Sequence, residues 1–281
     1  MNLKRIAQET VEALEKGAYQ LLDGTNVNIA STLKDCVDGT QCYDPDALDT
    51  VREKVFAQPP KWERTAFELV NETTLQGCSR LIHSGKYERI GALNFASAKH
   101  PGGGFLGGAR AQEESLARSS GLYKSLLQCP GYYEFNSHHH TALYSDWMIY
   151  SPHCPIVRDD SGNWQKQPYM VDFITSPAPN AGAILANEPE NADKIAPVLK
   201  ERTSKLLALA AQHNCDALVL GAWGCGVFKN DPQLVASIFW EYLQPGGQFW
   251  GRFAKVLMSV LDTSKTQEIY MAFDRYFSDA K

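Results

Sequence analysis

The chain has 281 residues, of which 44% are hydrophobic and 21% are charged, and its formal net charge at pH 7 is −5. This length fits one large domain or two small ones, and the composition supplies a sizeable core and argues against disorder. The negative charge predicts no broad basic surface for nucleic acid, so an anionic ligand would have to be held by backbone dipoles and a few cations.

The chain contains seven cysteines, an odd number, and no two of them have Cys-x-x-Cys spacing. The N-terminal segment lacks the apolar stretch of a secretory signal, and no run of ~18 apolar residues is present to span a membrane. These features predict a reduced, cytoplasmic protein whose thiols are free.

Residues 2–22 place apolar side chains at roughly helical spacing, which predicts a helix that ends at Gly24. A short strand is predicted over residues 26–30 and a helix over residues 44–56, before Pro59 and Pro60 break the chain. We interpret residues 1–62 as an accessory N-terminal helical region.

From residue 63 onward, predicted strands and helices alternate. The predicted strands cover residues 65–70, 90–96, 146–150, 170–175, 217–220 and 253–261. The predicted helices cover residues 71–84, 112–120, 122–127, 190–213, 232–243 and 264–277. This alternation predicts an α/β layered fold with a largely buried, mixed sheet, formed by a domain over residues 63–281.

A glycine-rich segment over residues 101–114 follows the strand predicted at 90–96, and it ends in Gln112-Glu113-Glu114. Glycines let backbone N–H groups approach a ligand closely, and carboxylates just beyond place proton chemistry beside a phosphate-bearing ligand. A structural alternative exists, because Glu is common in the first turn of a helix and Glu114 could pair with Arg118. The segment alone leaves both interpretations open.

A second glycine segment over residues 220–231 follows one predicted strand and precedes a helix, which fits a loop that holds a diphosphate. It is not a Walker A motif, because no Gly-Lys-Ser/Thr follows, and a tight structural turn would explain it as well. Three predicted strands end in small or glycine-rich segments, at Asn94, at residues 176–180 and at residues 221–226. We expect these ends to converge on one cleft.

The triple glycine Gly102–Gly104, followed after seven residues by Gln112-Glu113-Glu114, resembles the mark of the bacterial-type poly(ADP-ribose) glycohydrolases. Residues 94–98, 150–152, 176–180 and 221–228 also resemble that family, so the likeness covers roughly residues 63–261. It implies a macrodomain-like three-layer α/β/α sandwich with a mixed sheet and an N-terminal helical extension. It also implies hydrolysis of the ribose–ribose bond of poly(ADP-ribose).

The resemblance further implies residue roles. Glu114 would be the general acid that protonates the leaving oxygen, and Glu113 would bind ribose hydroxyls before water traps an oxocarbenium-like ribose. Both glycine loops would grip the diphosphate, and Phe228 would orient the terminal ribose with Val227 beside it. Animal-type relatives carry Asn where Ser97 stands. The implied substrate-binding residues are Gly102, Gly103, Gly104, Gln112, Asn94, Ser97, Gly221, Gly224, Cys225, Gly226, Val227 and Phe228.

Physical chemistry constrains these roles. Adjacent side chains on a helix do not face the same way, so Glu113 and Glu114 are poor candidates for an acid–base pair that flanks the bond. One acid and one binding residue is the more natural division. A helix N-terminus favours the ionised form, so the surroundings would have to keep Glu114 protonated.

Other candidate chemistries have less support. The consecutive histidines at 138–140 lack the i, i+4 spacing of zinc-binding helices, and no base near Cys225 in the sequence would activate it as a nucleophile. Water and a carboxyl group suffice for the implied reaction, so no metal or organic cofactor is expected.

Three functions remain open. They are an exo-acting poly(ADP-ribose) glycohydrolase that releases ADP-ribose from chain ends, a mono-ADP-ribosyl-protein hydrolase, and a non-catalytic ADP-ribose-binding module. Two carboxylates argue against the last, because diphosphate binding does not need anions. The expected partners are poly(ADP-ribose) or ADP-ribosylated proteins, with ADP-ribose as product and with neither nucleic acid nor membrane. A monomer and a role in the DNA damage response are also expected.

Overall fold

The computed structural model of the protein describes residues 2–278. Its strands are β1 (Ala18–Gln20), β2 (Asn26–Asn28), β3 (Gln41–Tyr43), β4 (Ala66–Val70), β5 (Ile90–Phe95), β6 (Met148–Arg158), β7 (Trp164–Ser176), β8 (Ala217–Leu220) and β9 (Lys255–Ser259). β1 pairs with β2, and the other seven form one sheet in the order β3-β6-β7-β5-β8-β9-β4. Since β6 runs antiparallel to both of its neighbours and the remaining pairs are parallel, the predicted mixed sheet is confirmed.

Eleven α-helices accompany these strands within residues 2–278. They are α1 (Leu3–Lys16), α2 (Ala30–Asp38), α3 (Pro45–Phe56), α4 (Thr74–His83), α5 (Gln112–Ser119), α6 (Leu122–Leu126), α7 (Pro130–His138), α8 (Ala181–Asn187), α9 (Ile195–Gln212), α10 (Pro232–Leu243) and α11 (Glu268–Phe277). Helices α4 to α7 bury their apolar side chains in one cluster against the sheet, and α3 with α8 to α11 bury theirs in another. The three-layer α/β/α architecture is therefore confirmed.

The central strands are apolar on both faces because helices cover both faces of the sheet. In β8, Ala217 and Val219 pack into the cluster with α4 to α7, whereas Leu218 and Leu220 pack into the opposite cluster. This alternation follows from the two-residue period of a strand. The strand ends are thereby held in fixed positions, and the loops that leave them are available for a site.

The N-terminal segment differs from its prediction. Helix α1 ends at Gly17 rather than Gly24, because Gly17 adopts the left-handed conformation (φ 68°) and donates its N–H to the Ala13 carbonyl. Helix α2 was not predicted, and β3 joins the edge of the main sheet. Helix α3 packs on α9. The division of the chain near residue 62 stays a prediction.

Two further elements are longer than their sequence patterns indicate. Strands β6 and β7 form a long hairpin. In it, β6 continues through Pro152 and Pro155, with a register shift between Ser151 and Cys154. His153 has positive φ at this irregularity. Prolines normally argue against strand, which explains why the predicted strand stops at residue 150.

Several helix boundaries also depart from prediction. The helix predicted from residue 190 begins at Ile195, after a 3₁₀ segment over Pro189–Lys194. The final helix begins at Glu268 rather than at residue 264, and helices α7 and α8 were not predicted. Terminal turns are the least determined part of a helix, since capping and tertiary contacts decide them.

The expectation that every thiol is free is wrong for two cysteines. Cys42 on β3 and Cys129 at the start of α7 form a disulfide, with their Cα atoms 5.8 Å apart. Cys36, Cys78, Cys154, Cys215 and Cys225 are free and buried. Sequence spacing could not find this pair, because 87 residues separate its members.

Among residues 2–278, no helix combines the length and the apolar character that a membrane span requires.

Candidate active site

A cleft of about 570 Å³ opens at the carboxyl ends of the parallel strands, within the size range of small-molecule sites. Residues 95–97 at the end of β5, five residues of the loop after β8 and Ser259 at the end of β9 line it; the five are Ala222, Gly224, Gly226, Val227 and Phe228. Two of the three predicted strand ends therefore converge there. The third, residues 176–180, lies behind the cleft, where the Ser176 carbonyl accepts a hydrogen bond from Trp223 Nε1 at 3.1 Å.

Gln112 fixes the start of α5 against β5. Its Oε1 accepts from the Phe95 N–H at 2.9 Å, and its Nε2 donates to the Leu93 carbonyl at 2.8 Å and to Thr74 Oγ1 at 3.1 Å. The amide thus replaces a neighbouring strand at the end of β5. This anchoring fixes the position of the two glutamates that follow, and substrate contact by Gln112 stays a prediction.

Glu113 lines the inner part of the cleft and is 2% exposed. Its carboxyl accepts from the Ser97 N–H at 2.6 Å and from Asn94 Nδ2 at 3.1 Å. Burial raises the pKa of Glu113 from 4.5 to about 8, against the lowering effect of these hydrogen bonds. Asn94 is itself fully buried and also donates to Thr175 Oγ1. It therefore positions Glu113 from behind.

Glu114 is partly exposed and lines the cleft beside Gly103 and Gly104. Its Oε1 accepts from the Gly104 N–H at 3.0 Å. A Cβ atom built on Gly103 would lie 2.4 Å from Glu114 Oε1 and 3.2 Å from Glu113 Oε2. Although the two side chains are adjacent on α5, both carboxyl groups thus approach one glycine, which also has positive φ (59°).

The second glycine loop is fixed from beneath by Asn230. Its Nδ2 donates to the Pro179 carbonyl at 2.7 Å and to the Gly224 carbonyl at 3.1 Å. Gly224 has a φ of 71°, and a Cβ there would lie 2.5 Å from Ala178 Cβ. The loop therefore exposes backbone to the cleft through Gly224 and Gly226.

The remaining predicted residues divide into two groups. Ser97, Val227 and Phe228 line the cleft, and Val227 is 77% exposed. The Ser97 hydroxyl accepts from the N–H groups of Lys99 and His100, so it stabilises its own turn. The residues that do not line the cleft are Asn94, Gly102, Gly221 and Cys225.

Cys225 is buried, and burial raises the pKa of its thiol to about 12. A thiol that holds its proton so strongly is a poor nucleophile. Of the three histidines at 138–140, His138 bonds the Glu134 carbonyl through Nδ1 at 2.7 Å. This contact belongs to the end of α7.

Sequence reasoning missed several residues of the site. Thr73 and Thr74 at the N-terminus of α4 line the cleft, and so does Asp160 at the tip of the β6–β7 hairpin, whose Oδ2 accepts from Thr73 Oγ1 at 2.6 Å. Tyr132 on α7 donates to the Ser97 carbonyl at 3.3 Å. The Asn-Glu-Thr-Thr capping segment was visible in the sequence, but nothing local connected α7 to the site.

The chain matches the family model described as the microbial-type PARG catalytic domain over residues 7–159, which is more than half of its length. No curated protein sequence matches it.

Solved structures give a broader match. The chain is 47% identical to the poly(ADP-ribose) glycohydrolase (PARG) of Thermomonospora curvata, with a TM-score of 0.93, over 98% of this chain and 99% of that one. The same relative bound to the inhibitor ADP-HPD matches at 46% identity and a TM-score of 0.91, with the same coverage. PARG from Deinococcus radiodurans in complex with ADP-ribose is 45% identical, with a TM-score of 0.82, over 87% of this chain and 96% of that one.

Proposed function

The chain belongs to the microbial-type poly(ADP-ribose) glycohydrolase family, and we propose that it hydrolyses the ribose–ribose O-glycosidic bond at the ends of poly(ADP-ribose) chains, releasing ADP-ribose. The observation that carries this proposal is the approach of the Glu113 and Glu114 carboxyl groups to Gly103, inside a cleft that a second glycine loop also lines. Relatives of this fold are described in complex with ADP-ribose and with ADP-HPD, which supports ADP-ribose as the bound unit.

In the proposed reaction, Glu114 supplies the proton. Within residues 2–278 its one hydrogen bond is to Oε1, from the Gly104 N–H, so Oε2 is left to carry the proton. The bond between the anomeric carbon and the leaving oxygen breaks, its electron pair stays on oxygen, and that oxygen takes the Glu114 proton. Water attacks the oxocarbenium-like carbon and gives a proton to the Glu114 carboxylate, which restores the acid.

Glu113 holds the sugar that is attacked. Its raised pKa keeps it neutral near pH 7, so it adds no negative charge beside a diphosphate. The O–H of a neutral carboxyl group can donate a hydrogen bond to a ribose hydroxyl oxygen, while the Ser97 N–H and Asn94 Nδ2 fix the orientation of the carboxyl group. This division, one acid and one binding residue, matches the different burial of the two side chains.

The products that natural protein forms from automodified poly(ADP-ribose) test this function. We expect free ADP-ribose, released progressively and identified by chromatography and mass. Stripping of the last protein-linked unit alone would favour a mono-ADP-ribosyl-protein hydrolase, and binding of ADP-ribose without any release would favour a binding module.

A cytoplasmic location, a monomeric state and a role in the DNA damage response stay parts of the proposal. The Cys42–Cys129 disulfide is a feature more typical of oxidising compartments, so it weighs against the first. Cell fractionation with trapping of free thiols would decide both the location and the state of this pair.

A further inference from the structure

The cleft has few basic residues in its lining. Among the described residues that line the cleft, His100 and Arg110 are the only bases, whereas Glu72 and Asp160 are further acids beside the two glutamates. The chain as a whole carries a net charge of −5. A polyanion that approaches this cleft is therefore attracted chiefly by His100 and Arg110.

Neither of these side chains pairs with another side chain among residues 2–278. By contrast, Arg118 near the end of α5 donates Nη1 to the Ala109 carbonyl at 2.5 Å and Nη2 to Ser115 Oγ at 3.3 Å. Arg110 is exposed and forms no side-chain hydrogen bond or ion pair with residues 2–278, and the same holds for the exposed ring of His100. Both side chains are available to a ligand.

Both residues adjoin the glycine turn that contacts the general acid, and the His100 carbonyl accepts from the Gly103 N–H at 2.9 Å. The Ala109 N–H donates to the Gly104 carbonyl at 3.2 Å, and the Gly104 N–H donates to Glu114 Oε1 at 3.0 Å. Arg110 follows directly after Ala109 and lines the same cleft as Glu114, whose carboxyl group protonates the leaving oxygen. Glu113, which holds the retained ribose, is buried on the inner side.

The chemistry of the substrate puts an anion on the outer side. In poly(ADP-ribose) the leaving oxygen belongs to the ribose of the next ADP-ribose unit, and that ribose also carries a diphosphate through its own 5′ carbon. Hence the departing unit brings a second diphosphate within one sugar of Glu114. A guanidinium group is suited to it, because it donates two parallel hydrogen bonds to phosphate oxygens.

We propose that Arg110 and His100 form a second anion subsite, which holds the diphosphate of the penultimate ADP-ribose unit. This inference rests on the proposed function and deepens it, since the subsite makes a polymer a better substrate than a single ADP-ribose on a neutral leaving group. The subsite binds the departing unit and so stabilises the enzyme–polymer complex. It is separate from the general acid and from the glycine loops that bind the diphosphate of the terminal unit.

The test compares two substrates. One is an oligomer of poly(ADP-ribose), and the other is ADP-ribose linked through its terminal ribose to a neutral aromatic alcohol, which lacks the second diphosphate. We expect Arg110→Glu to lower the ratio of kcat/KM for oligomer over kcat/KM for the aromatic substrate by about tenfold, because reversing the charge replaces attraction by repulsion. Arg110→Lys, which keeps the charge and loses the bidentate geometry, should give a smaller loss of the ratio.

Lys86→Glu is the matched control, since it makes the same change of net charge on an exposed residue before β5, at the opposite end of the sheet. Lys86→Glu should change the ratio of kcat/KM values less than twofold. High salt should reduce the difference in this ratio between natural protein and Arg110→Glu, because salt screens exposed charges. An equal loss on both substrates would overturn the subsite and would make Arg110 a residue of the retained unit. An unchanged ratio would overturn it too.

Binding separates failure of the subsite from failure of the proposed function. Glu114→Gln protein should bind a dimer of ADP-ribose more tightly than ADP-ribose itself, and adding Arg110→Glu should remove this preference. If natural protein cleaved neither substrate, the proposed function would fail while this binding comparison still decided the subsite. Equal affinity of Glu114→Gln protein for the dimer and for ADP-ribose itself would overturn the proposed subsite.

Discussion

A side chain at Gly103 would collide with the Glu114 carboxyl group, since its Cβ would lie 2.4 Å from Oε1. The glycine run therefore does more than bring backbone N–H groups near a ligand. It leaves the space into which two adjacent glutamates of α5 direct their carboxyl groups, and Gly102 and Gly103 adopt a left-handed conformation that Gly tolerates. Loop and acid form one unit.

Gly103→Ala should abolish most of the activity. The methyl group must displace Glu114 or shift the turn, and misplacing a catalytic group costs about 10²-fold in rate. Initial rates of ADP-ribose release measure the effect. Gly107→Ala is the control, because a Cβ atom at that position would have no heavy atom within 4 Å and the φ of Gly107 is not positive. Comparable rates for the two variants would contradict the steric role of Gly103.

The free energy of unfolding of Glu113→Gln protein, minus that of natural protein, should increase as the pH rises from 4.5 to 8. Between these values the unfolded chain ionises Glu113 but the folded protein does not, so the unfolded state binds fewer protons and the stability of natural protein falls with pH. One pKa unit corresponds to about 1.4 kcal/mol, and ~1 kcal/mol shifts Tm by roughly 2–4 °C in a protein of this size.

Calorimetric Tm values of both proteins at pH 5 and pH 9 measure this difference. We expect the Tm of the variant minus that of natural protein to rise by several degrees between the two pH values. A constant difference would show that Glu113 is ionised at both, and a falling difference would show that its pKa is lowered rather than raised.

Asn230→Ala should weaken ADP-ribose binding more than it slows chemistry. The variant leaves the buried Pro179 carbonyl without its side-chain donor and leaves the Gly224 carbonyl with the residue 230 backbone N–H alone, which costs about 1–3 kcal/mol and loosens the loop that lines the cleft. We expect KM to rise by about tenfold or more with a smaller change in kcat. Asn187→Ala removes a comparable amide contact on the exposed α8 and should leave KM as it is. A fall in kcat with constant KM would contradict the assignment of the loop to binding.

Cys42→Ser should lower the free energy of unfolding by about 2–4 kcal/mol, because the disulfide closes a long loop in the unfolded chain. Chemical denaturation with and without reductant measures this loss. Reductant should bring natural protein down to the stability of the variant and leave the variant unchanged. Natural protein that is insensitive to reductant and equal to the variant would show that the pair is not oxidised.

Local signals in the sequence predicted the elements whose ends are marked by residues next to them in the chain. Helix α10 begins at the predicted Pro232, where Asp231 caps it through the Gln233 N–H, and β8 occupies the predicted residues 217–220 because it is an apolar run between polar segments. The glycine segments were found for a similar reason, since left-handed and closely approached backbone positions call for Gly.

Contacts between distant residues decided the rest. The buried position of Glu113 depends on Asn94 and Ser97, which precede it by 19 and 16 residues. The sequence could not show that Gln112 bonds β5. Likewise, Tyr132 bonds the Ser97 carbonyl from α7, a helix that packs into the buried cluster on that face of the sheet. Each of these relationships requires the sheet to have formed.

The most direct test of the account compares turnover and binding in Glu114→Gln, a change that keeps the shape of the side chain and removes the ionisable acid. We expect release of ADP-ribose from poly(ADP-ribose) to fall at least ~10²-fold while the Kd for ADP-ribose changes little, and Glu134→Gln, on the exposed side of α7, should behave like natural protein. Release by Glu114→Gln at the natural rate would contradict the central claim that Glu114 is the acid.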